Sequence, residues 1–324
     1  MPEPVLSVDD LTIRFHLKRG TLTAVDGVSF QIHKGETFGL VGESGSGKTV
    51  TARSLMRLIP TPPGEIASGR VMFEGASIYD MSREQIRDIR GRKIAMVFQE
   101  PMSALNPVFT VGSQIGDVLR TNLAMSRSEA RARTIELMGL VGIPSPGSRI
   151  DSYVHEFSGG MRQRVMLAMA LSCNPSFLIA DEPTTALDVT IQATILALIS
   201  SMIERFEMSL LFITHNLGVV AHACDTIAVM YASHLVEMGT KAEIFVNPQH
   251  PYTIGLLNSI PKLEVQQKYL SPIEGSVCNM LDPPGGCKFH PRCAHAMAIC
   301  REAVPRFREI TPSHYSACHL NDQP

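Results

Sequence analysis

Hydrophobic and polar positions change their spacing several times along the chain. From Leu6 to Ile32 apolar residues alternate with polar ones, in LSVDDLTIRF and AVDGVSFQI, which predicts antiparallel strands. Short apolar runs predict buried strands at residues 37–41, 70–73, 94–98, 177–180 and 210–214, with a loop (PTPPGEIASG) at 60–69. Residues 111–171 have helical spacing and many charges, which predicts a helical insertion in an otherwise α/β chain.

The second half of the chain predicts a parallel sheet and then a change of domain. Strands at 177–180 and 210–214 flank a long helix, and this β–α–β order is typical of a mostly parallel, buried sheet. From about Pro261 prolines and cysteines become frequent and the periodicity is lost. We predict one domain over residues 1–260 and a C-terminal extension over 261–324.

Residues 42–49, GESGSGKT, match the phosphate-loop pattern G-x-x-x-x-G-K-[ST]. Glycines leave backbone N–H groups free to curl around an anion, and the predicted strand before and helix after (49–58) supply the context that the motif needs. Lys48 is expected to reach the β- and γ-phosphates of a nucleotide, and Thr49 to ligate Mg²⁺. The predicted nucleotide-binding residues of this loop are Gly42, Glu43, Ser44, Gly45, Ser46, Gly47, Lys48, Thr49 and Val50.

An acidic pair and a serine-glycine stretch complete the candidate chemistry. FLIADEP ends an apolar strand, so Asp181 is expected to join the metal shell and Glu182 to act as general base on water. Such a pair can instead cap a helix, but the phosphate loop upstream favours catalysis. FSGGMRQR (157–164) taken alone predicts a helix N-terminus capped by Ser158.

In this order, the phosphate loop, FSGGMRQR and FLIADEP resemble the motifs of ABC-type ATPases, over about residues 6–239. That family has an antiparallel β subdomain, a RecA-like parallel-sheet core and a helical subdomain, here at about 111–171. The resemblance matches Gln99 to the Q-loop, where it contributes to the Mg²⁺ site, Ala186-Leu187-Asp188 to the D-loop and His215 to the switch histidine. Phe15 or His16 would stack on adenine, and Phe15 is preferred.

The resemblance also implies a shared ATP site. Ser158, Gly159 and Gly160 of one subunit would complete the site of another, with Ser158 and Gly160 donating to the γ-phosphate. Backbone donors at a helix start suit this task because they need no reorganisation. His215 would contact the γ-phosphate and orient the water.

A narrower resemblance lies in QEPMSALNPVFTVGSQI and in HPYT (250–253) followed by Leu256-Leu257, which are similar to the peptide and nickel importer branch. By its pattern alone, the second stretch predicts only a turn leading into an amphipathic helix. The branch implies two membrane permeases, a second homologous ATPase subunit (a heterodimer is favoured), an extracytoplasmic binding protein and a place on the cytoplasmic face of the inner membrane. Peptide is the favoured cargo, with nickel and glutathione open. A soluble non-transport ABC ATPase is the competing class, although long coiled-coil insertions and a second cassette do not appear.

Composition and net charge exclude few classes of function. Twenty-nine basic and thirty-one acidic residues give a formal charge of -2, so charge offers no argument for a nucleic-acid or lipid-surface binder. MPEPVLSVDD lacks the regions of a signal peptide, which predicts a cytosolic protein. No apolar run reaches the roughly 18–20 residues that span a bilayer; the best, 165–180, is interrupted by polar residues and a proline.

Five of the seven cysteines crowd the C-terminal extension. Isolated Cys173 and Cys224 are expected to be small buried side chains. The clustered thiols predict zinc or an iron–sulfur cluster, and the absence of C-x₂-C pairs favours iron. The resemblance to the peptide importers implies a [4Fe–4S] cluster on a defined ligand set, with Cys278 a bystander. That set is Cys287, Cys293, Cys300 and Cys318. Because the phosphate loop is predicted to lie in a separate domain, ATP binding is expected to survive loss of the cluster.

Overall fold

The computed structural model of the chain describes residues 3–185, 187–260 and 273–322. The chain divides into two units, the first made of Met1–Tyr79 with Phe212–Pro324 and the second of Asp80–Leu211. The predicted domain boundary at residue 261 falls outside the described residues, as does Ala186 of the predicted D-loop. The α/β class predicted from the sequence is confirmed.

The first unit begins with a four-stranded antiparallel sheet of order β2-β1-β4-β5. The alternating sequence of its first two strands buries one face, including Leu6, Val8, Leu11 and Ile13. Ile13 pairs with Val25 on one side and with Ile66 on the other. The strands are β1 Pro4–Leu17, β2 Gly20–His33, β4 Gly64–Phe73 and β5 Ala76–Ser77. The predicted antiparallel pair is therefore confirmed, whereas β4 begins inside the segment predicted as a loop.

A second sheet of the first unit has the order β11-β12-β10-β9-β3. Parallel pairing of β3 with β9 follows from their buried apolar sequences, and the remaining pairs are antiparallel. The strands are β3 Thr37–Val41, β9 Thr226–Tyr231, β10 His234–Thr240, β11 Arg308–Thr311 and β12 His314–Ser316. The last two strands belong to the predicted extension, so this part of the chain adds strands to the edge of the sheet that carries β3.

Short helices connect the strands of the first unit. They are α1 Lys48–Leu55, α9 Leu217–Ala223, α10 Lys241–Val246, α11 Pro251–Asn258 and α12 Ile299–Glu302, with 3₁₀ turns at His290–Arg292 and His319–Asp322. HPYT leads into a helix as predicted, and the structure adds a cap: the His250 side chain accepts a hydrogen bond from Tyr252 N, and Pro251 occupies the first turn of α11.

The second unit holds two parallel strands and most of the helices. Strands β6 Ile94–Val97 and β7 Phe177–Asp181 pair in parallel, and β8 Ser209–Thr214 is divided between the two units. The helices are α2 Arg83–Ile89, α3 Pro101–Ala104, α4 Val111–Leu123, α5 Arg127–Leu140, α6 Pro146–Arg149, α7 Gly159–Leu171 and α8 Val189–Phe206, with a 3₁₀ turn at Val154–Glu156. The predicted helical insertion is α4 to α7.

Helix α8 is 18 residues long and apolar enough, by length and composition, to cross a membrane. The sequence prediction placed the longest apolar run at 165–180 instead. Buried residues Ile195, Ile199, Met202 and Ile203 of α8 recur at helical spacing, which is the pattern of a helix that packs one face against its own protein.

Candidate functional site

The phosphate loop connects β3 to α1 in the first unit. Lys48, only 4% exposed, donates from Nζ to the Gly42 carbonyl at 2.7 Å, to the Glu43 carbonyl at 2.9 Å and to Ser46 Oγ at 3.4 Å. These bonds wrap the loop backbone around the ammonium group. In this arrangement the loop N–H groups and the lysine can bind the same phosphate. The predicted strand–loop–helix context is present.

Two glycines of this loop are needed for steric reasons. Gly47 has φ +107°, and a Cβ there would overlap the Ala24 carbonyl oxygen. A Cβ at Gly42 would overlap the Met230 carbonyl oxygen. The loop therefore passes against the backbones of β2 and β9, and a side chain at either position would push it out of place.

Two residues to which the sequence analysis gave no role in the ATP site hold Glu43 of the loop. The backbone N–H of Glu43 donates to Tyr252 Oη at 2.9 Å. Its carboxylate accepts from both terminal nitrogens of Arg292, at 2.6 Å (Nη1) and 3.1 Å (Nη2). Sequence reasoning used HPYT only as an identifying pattern and gave Arg292 no role, although it lies next to Cys293. Arg292 therefore connects the C-terminal extension to the phosphate loop, while survival of ATP binding after loss of the cluster stays a prediction.

The acidic pair lies in the second unit, at the end of β7. Asp181 is 1% exposed and is the last residue of the strand. Glu182 follows with φ +46°, and its Oε2 accepts from Gln99 Nε2 at 3.1 Å and from Thr185 Oγ1 at 2.8 Å. The pair does not cap a helix, because α8 begins later and is capped by Asp188. The structure thus brings together Gln99 and Glu182, which the sequence predicted separately, and adds Thr185.

Two exposed helix starts in the second unit carry the predicted signature and D-loop residues. Ser158 caps α7, accepting from Met161 N at 3.4 Å, and Gly159 and Gly160 form the first turn. Asp188 caps α8, accepting from Ile191 N at 2.9 Å. A Cβ at Gly160 would lie 2.8 Å from Ile191 Cγ2, so these two helix starts approach closely. The predicted serine cap is present, and it leaves the N-terminal end of α7 at the surface.

The remaining predicted ATP-site residues belong to the first unit. His215 follows β8 and is exposed. It is not a helix cap, because Asn216 caps α9 by accepting from Gly218 N. Phe15 lies in β1, opposite Leu22 and Gly64, and is half-buried, so part of its ring is available for stacking.

The burial predicted for the two isolated cysteines is confirmed. Cys173 and Cys224 are buried, and burial raises the pKa of both thiols, that of Cys224 to about 12. In the extension, burial raises the pKa of Cys318 to about 11, helped by the nearby Cys287, Cys293 and Cys300. The pKa of Cys278 is also raised by burial, but the charged neighbours that oppose this are Lys288 and Arg292.

Four thiols of the extension therefore lie near one another. Burial raises the pKa of the Cys287 thiol, and the neighbouring Cys300 and Cys293 raise it further. Burial likewise raises the pKa of Cys293, and Cys300 adds to this effect. Over residues 3–185, 187–260 and 273–322, however, no three His, Cys, Asp or Glu side chains are arranged closely enough to hold a metal ion. The thiols suit an iron–sulfur cluster by donor chemistry, while their spacing in the structure does not form a closed ligand set.

Buried polar contacts attach the extension to β10. Glu237, 0% exposed, accepts from His314 Nε2 at 2.8 Å, from His250 N at 3.0 Å and from Gln249 N at 2.6 Å. Ala317 N donates to the Val236 carbonyl at 2.9 Å. A buried carboxylate with three donors is stable only while all of them stay in place, so these contacts fix β12 to the sheet.

Known proteins agree with this architecture. Residues 25–185 match the family model described as ABC transporter, and residues 236–300 match the oligopeptide/dipeptide transporter C-terminal region. The dipeptide transport ATP-binding protein DppD of Bacillus subtilis is 49% identical over 99% of this chain and 96% of its own. The oligopeptide transport ATP-binding protein OppD of the same organism is 49% identical over 96% and 87%.

A solved structure extends the comparison to the fold. The dimeric ATP-binding cassette MJ0796, in a post-hydrolysis state bound to ADP and Pi, superposes with a TM-score of 0.65 at 25% identity, covering 73% of this chain and 98% of that one. The chain belongs to the ABC transporter family of ATP-binding proteins, in the group that carries the oligopeptide/dipeptide transporter C-terminal region.

Proposed function

We propose that this chain is the ATP-hydrolysing subunit that powers import of di- or oligopeptides through a membrane ABC transporter. The observation that carries the catalytic part is the carboxylate of Glu182, oriented by Gln99 and Thr185 at the end of a buried strand. The peptide part is supported by the relatives' names and by the matched C-terminal region.

ATP would bind with its phosphates in the loop of residues 42–50 and its adenine against Phe15. Lys48 and the loop N–H groups neutralise phosphate charge, and the glycines keep the backbone close enough to do so. Thr49, Gln99 and Asp181 would hold Mg²⁺, since hydroxyl, amide and carboxylate oxygens are its usual ligands. The ion would neutralise charge that develops on the phosphates.

Hydrolysis needs a base and an oriented water. Glu182 would take the proton of the attacking water, and the hydrogen bonds from Gln99 and Thr185 to its Oε2 hold the carboxylate in one orientation. His215 would contact the γ-phosphate and orient the same water. The exposed start of α7, with Ser158, Gly159 and Gly160, would donate to the γ-phosphate of a second cassette, and Asp188 would lie at the same interface.

The partners follow from this shared site. We propose a second, homologous ATPase subunit, with a heterodimer favoured, on the cytoplasmic face of the inner membrane, together with two permeases and an extracytoplasmic binding protein. Three exposed apolar residues after the Q-loop support a permease contact: Met102 is 46%, Val108 70% and Phe109 52% exposed.

Substitution of these residues tests the permease contact. In the complete transporter, Val108→Asp should lower coupled ATP hydrolysis, because a charge would enter an apolar contact. Val246→Asp, at another exposed valine, is the matched control. Equal activity of the two variants would contradict the docking surface.

Transport by the reconstituted complex tests the substrate. Vesicles containing this chain, its partner cassette and the permeases should accumulate a labelled dipeptide when binding protein and ATP are supplied. Unlabelled peptide should compete, whereas nickel and glutathione should not. Uptake of nickel or glutathione without peptide uptake would favour those alternatives. A rate of ATP hydrolysis that is the same with and without the permeases would favour a soluble ABC ATPase.

For the region after about residue 260 we propose a [4Fe–4S] cluster held by Cys287, Cys293, Cys300 and Cys318. Support comes from the donor chemistry of these thiols and from their mutual electrostatic interaction, while Cys278 has Lys288 and Arg292 as its charged neighbours. Protein purified without oxygen should be brown. Cys318→Ser should bleach it and Cys278→Ser should not; the reverse result would contradict the ligand set, and one zinc without iron would contradict the cluster.

A further inference from the structure

Glu43 places a negative charge within the phosphate loop. Its carboxylate stands one residue after Gly42, and its carbonyl is one of the groups that hold Lys48. A negative charge next to a polyphosphate site weakens anion binding unless a positive charge compensates it. The structure supplies this compensation from a residue 249 positions away in the sequence.

Arg292 is built to neutralise that charge. Its side chain is 5% exposed, that of Glu43 is 32% exposed, and both terminal guanidinium nitrogens of Arg292 donate to the Glu43 carboxylate. The guanidinium lies 5.7 Å from the ring centroid of Tyr231 and 6.0 Å from that of Phe289, and its Nε donates to the Glu274 carbonyl at 2.9 Å. A forked, buried contact of this kind holds one geometry, which a solvated surface ion pair does not.

Tyr252 acts on the same residue through the backbone. It is 0% exposed, with its ring 4.7 Å from Tyr231 and 5.4 Å from Phe289, and its hydroxyl accepts the Glu43 N–H. The aromatic group of Tyr231, Tyr252 and Phe289 thus supports both contacts to Glu43. Any movement of this group would shift the carbonyls that orient Lys48.

We propose that Arg292 and Tyr252 are positioning residues of the ATP site, Arg292 by cancelling the Glu43 charge and Tyr252 by fixing the Glu43 backbone. ATP affinity then depends on the C-terminal region, because Arg292 belongs to it. The proposal rests on the ATP-binding function described above. It assigns neither residue a contact with ATP.

The experiment measures the Kd of the full-length chain for MgATP by titration calorimetry. Arg292→Met removes the charge but keeps an apolar stem against the aromatic rings, and it should raise Kd about tenfold. Glu43→Gln leaves the Arg292 charge uncompensated and should lower Kd, whereas the double variant, in which neither charge remains, should return to within about twofold of wild type. Tyr252→Phe should raise Kd about fivefold whether or not Glu43→Gln is also present, because it acts on the backbone N–H.

Double-variant behaviour separates charge cancellation from mere structural support. If the Arg292→Met/Glu43→Gln double variant binds ATP as weakly as Arg292→Met alone, Arg292 only supports the fold and the proposal is overturned. Wild-type affinity in Arg292→Met would also overturn it. Arg292→Lys keeps the charge and should stay within about threefold of wild type, so it tests the idea if the Met variant does not fold.

Two controls complete the design. Arg308→Met changes another arginine of the same region, one that pairs with Asp322, and should leave Kd unchanged. Wild-type protein must itself bind MgATP; if it did not, the proposed function would fail, independently of the contacts at Glu43.

Discussion

Acidification should destabilise the protein through His250. This imidazole is 2% exposed, and its Nδ1 accepts the N–H of Tyr252 at 3.0 Å, which requires an unprotonated nitrogen. Burial lowers the pKa of His250 from 6.5 to about 3. Between pH 6.5 and about pH 3, His250 binds a proton in the unfolded chain but not in the folded chain. The stability that is present above pH 6.5 is therefore lost as the pH falls through this range.

The magnitude follows from the two pKa values. Each unit of pH inside this window removes up to about 1.4 kcal/mol, so the free energy of unfolding should fall by about 2 kcal/mol from pH 7 to pH 5 through this residue alone. His250→Asn keeps an acceptor that can cap α11 and removes the titration. Glu237, whose carboxylate accepts the residue 250 N–H, and His314 remain in both proteins, so the difference between the two proteins isolates residue 250.

Urea unfolding followed by circular dichroism at pH 7 and pH 5 measures this difference. The stability lost by wild type should exceed that lost by His250→Asn by about 2 kcal/mol. His222→Asn, at an exposed histidine of α9, should keep the wild-type dependence. The reasoning is refuted if wild type and His250→Asn lose the same stability between the two pH values.

Two further substitutions test the ATP site. Gly47→Ala should abolish MgATP binding because its Cβ would overlap the Ala24 carbonyl oxygen. The control Gly35→Ala, also at positive φ but with open space around its Cβ, should retain binding. Equal binding by the two variants in calorimetric titration would contradict the steric argument. Thr185→Val removes a hydrogen bond to the Glu182 carboxylate and should lower kcat by up to about tenfold with little change in KM. Steady-state kinetics with a changed KM and an unchanged kcat would contradict that role.

Local chemistry explains why much of the site was predictable. The phosphate loop needs glycines, a lysine and a strand–loop–helix context within a short stretch, and the structure has all of them between β3 and α1. Strand alternation predicted the β1–β2 pair for the same reason, since a two-residue period reports one buried face. Ser158 was predictable as a helix cap because capping involves residues only three apart.

Long-range contacts were not predictable. Tyr252 and Arg292 meet Glu43 across 209 and 249 residues, and no periodicity in the sequence reports such a pairing. The two strands of the extension were not predicted because each is short, and because β12 pairs with β10, which lies far away in sequence. Thr185 was missed since a threonine after a strand has no distinctive pattern; only the position of its hydroxyl beside Glu182 gives it a role.

Single-turnover hydrolysis by Glu182→Gln tests the central claim most directly. Glutamine keeps the size of the side chain and can still accept a hydrogen bond, but it cannot take a proton from water. The variant, assembled with the proposed partner cassette and permeases, should bind MgATP as wild type does and hydrolyse it at least about a hundredfold more slowly. Bound ATP should hold the two cassettes together. Hydrolysis of the bound ATP at a near wild-type rate would contradict the assignment of Glu182 as the general base.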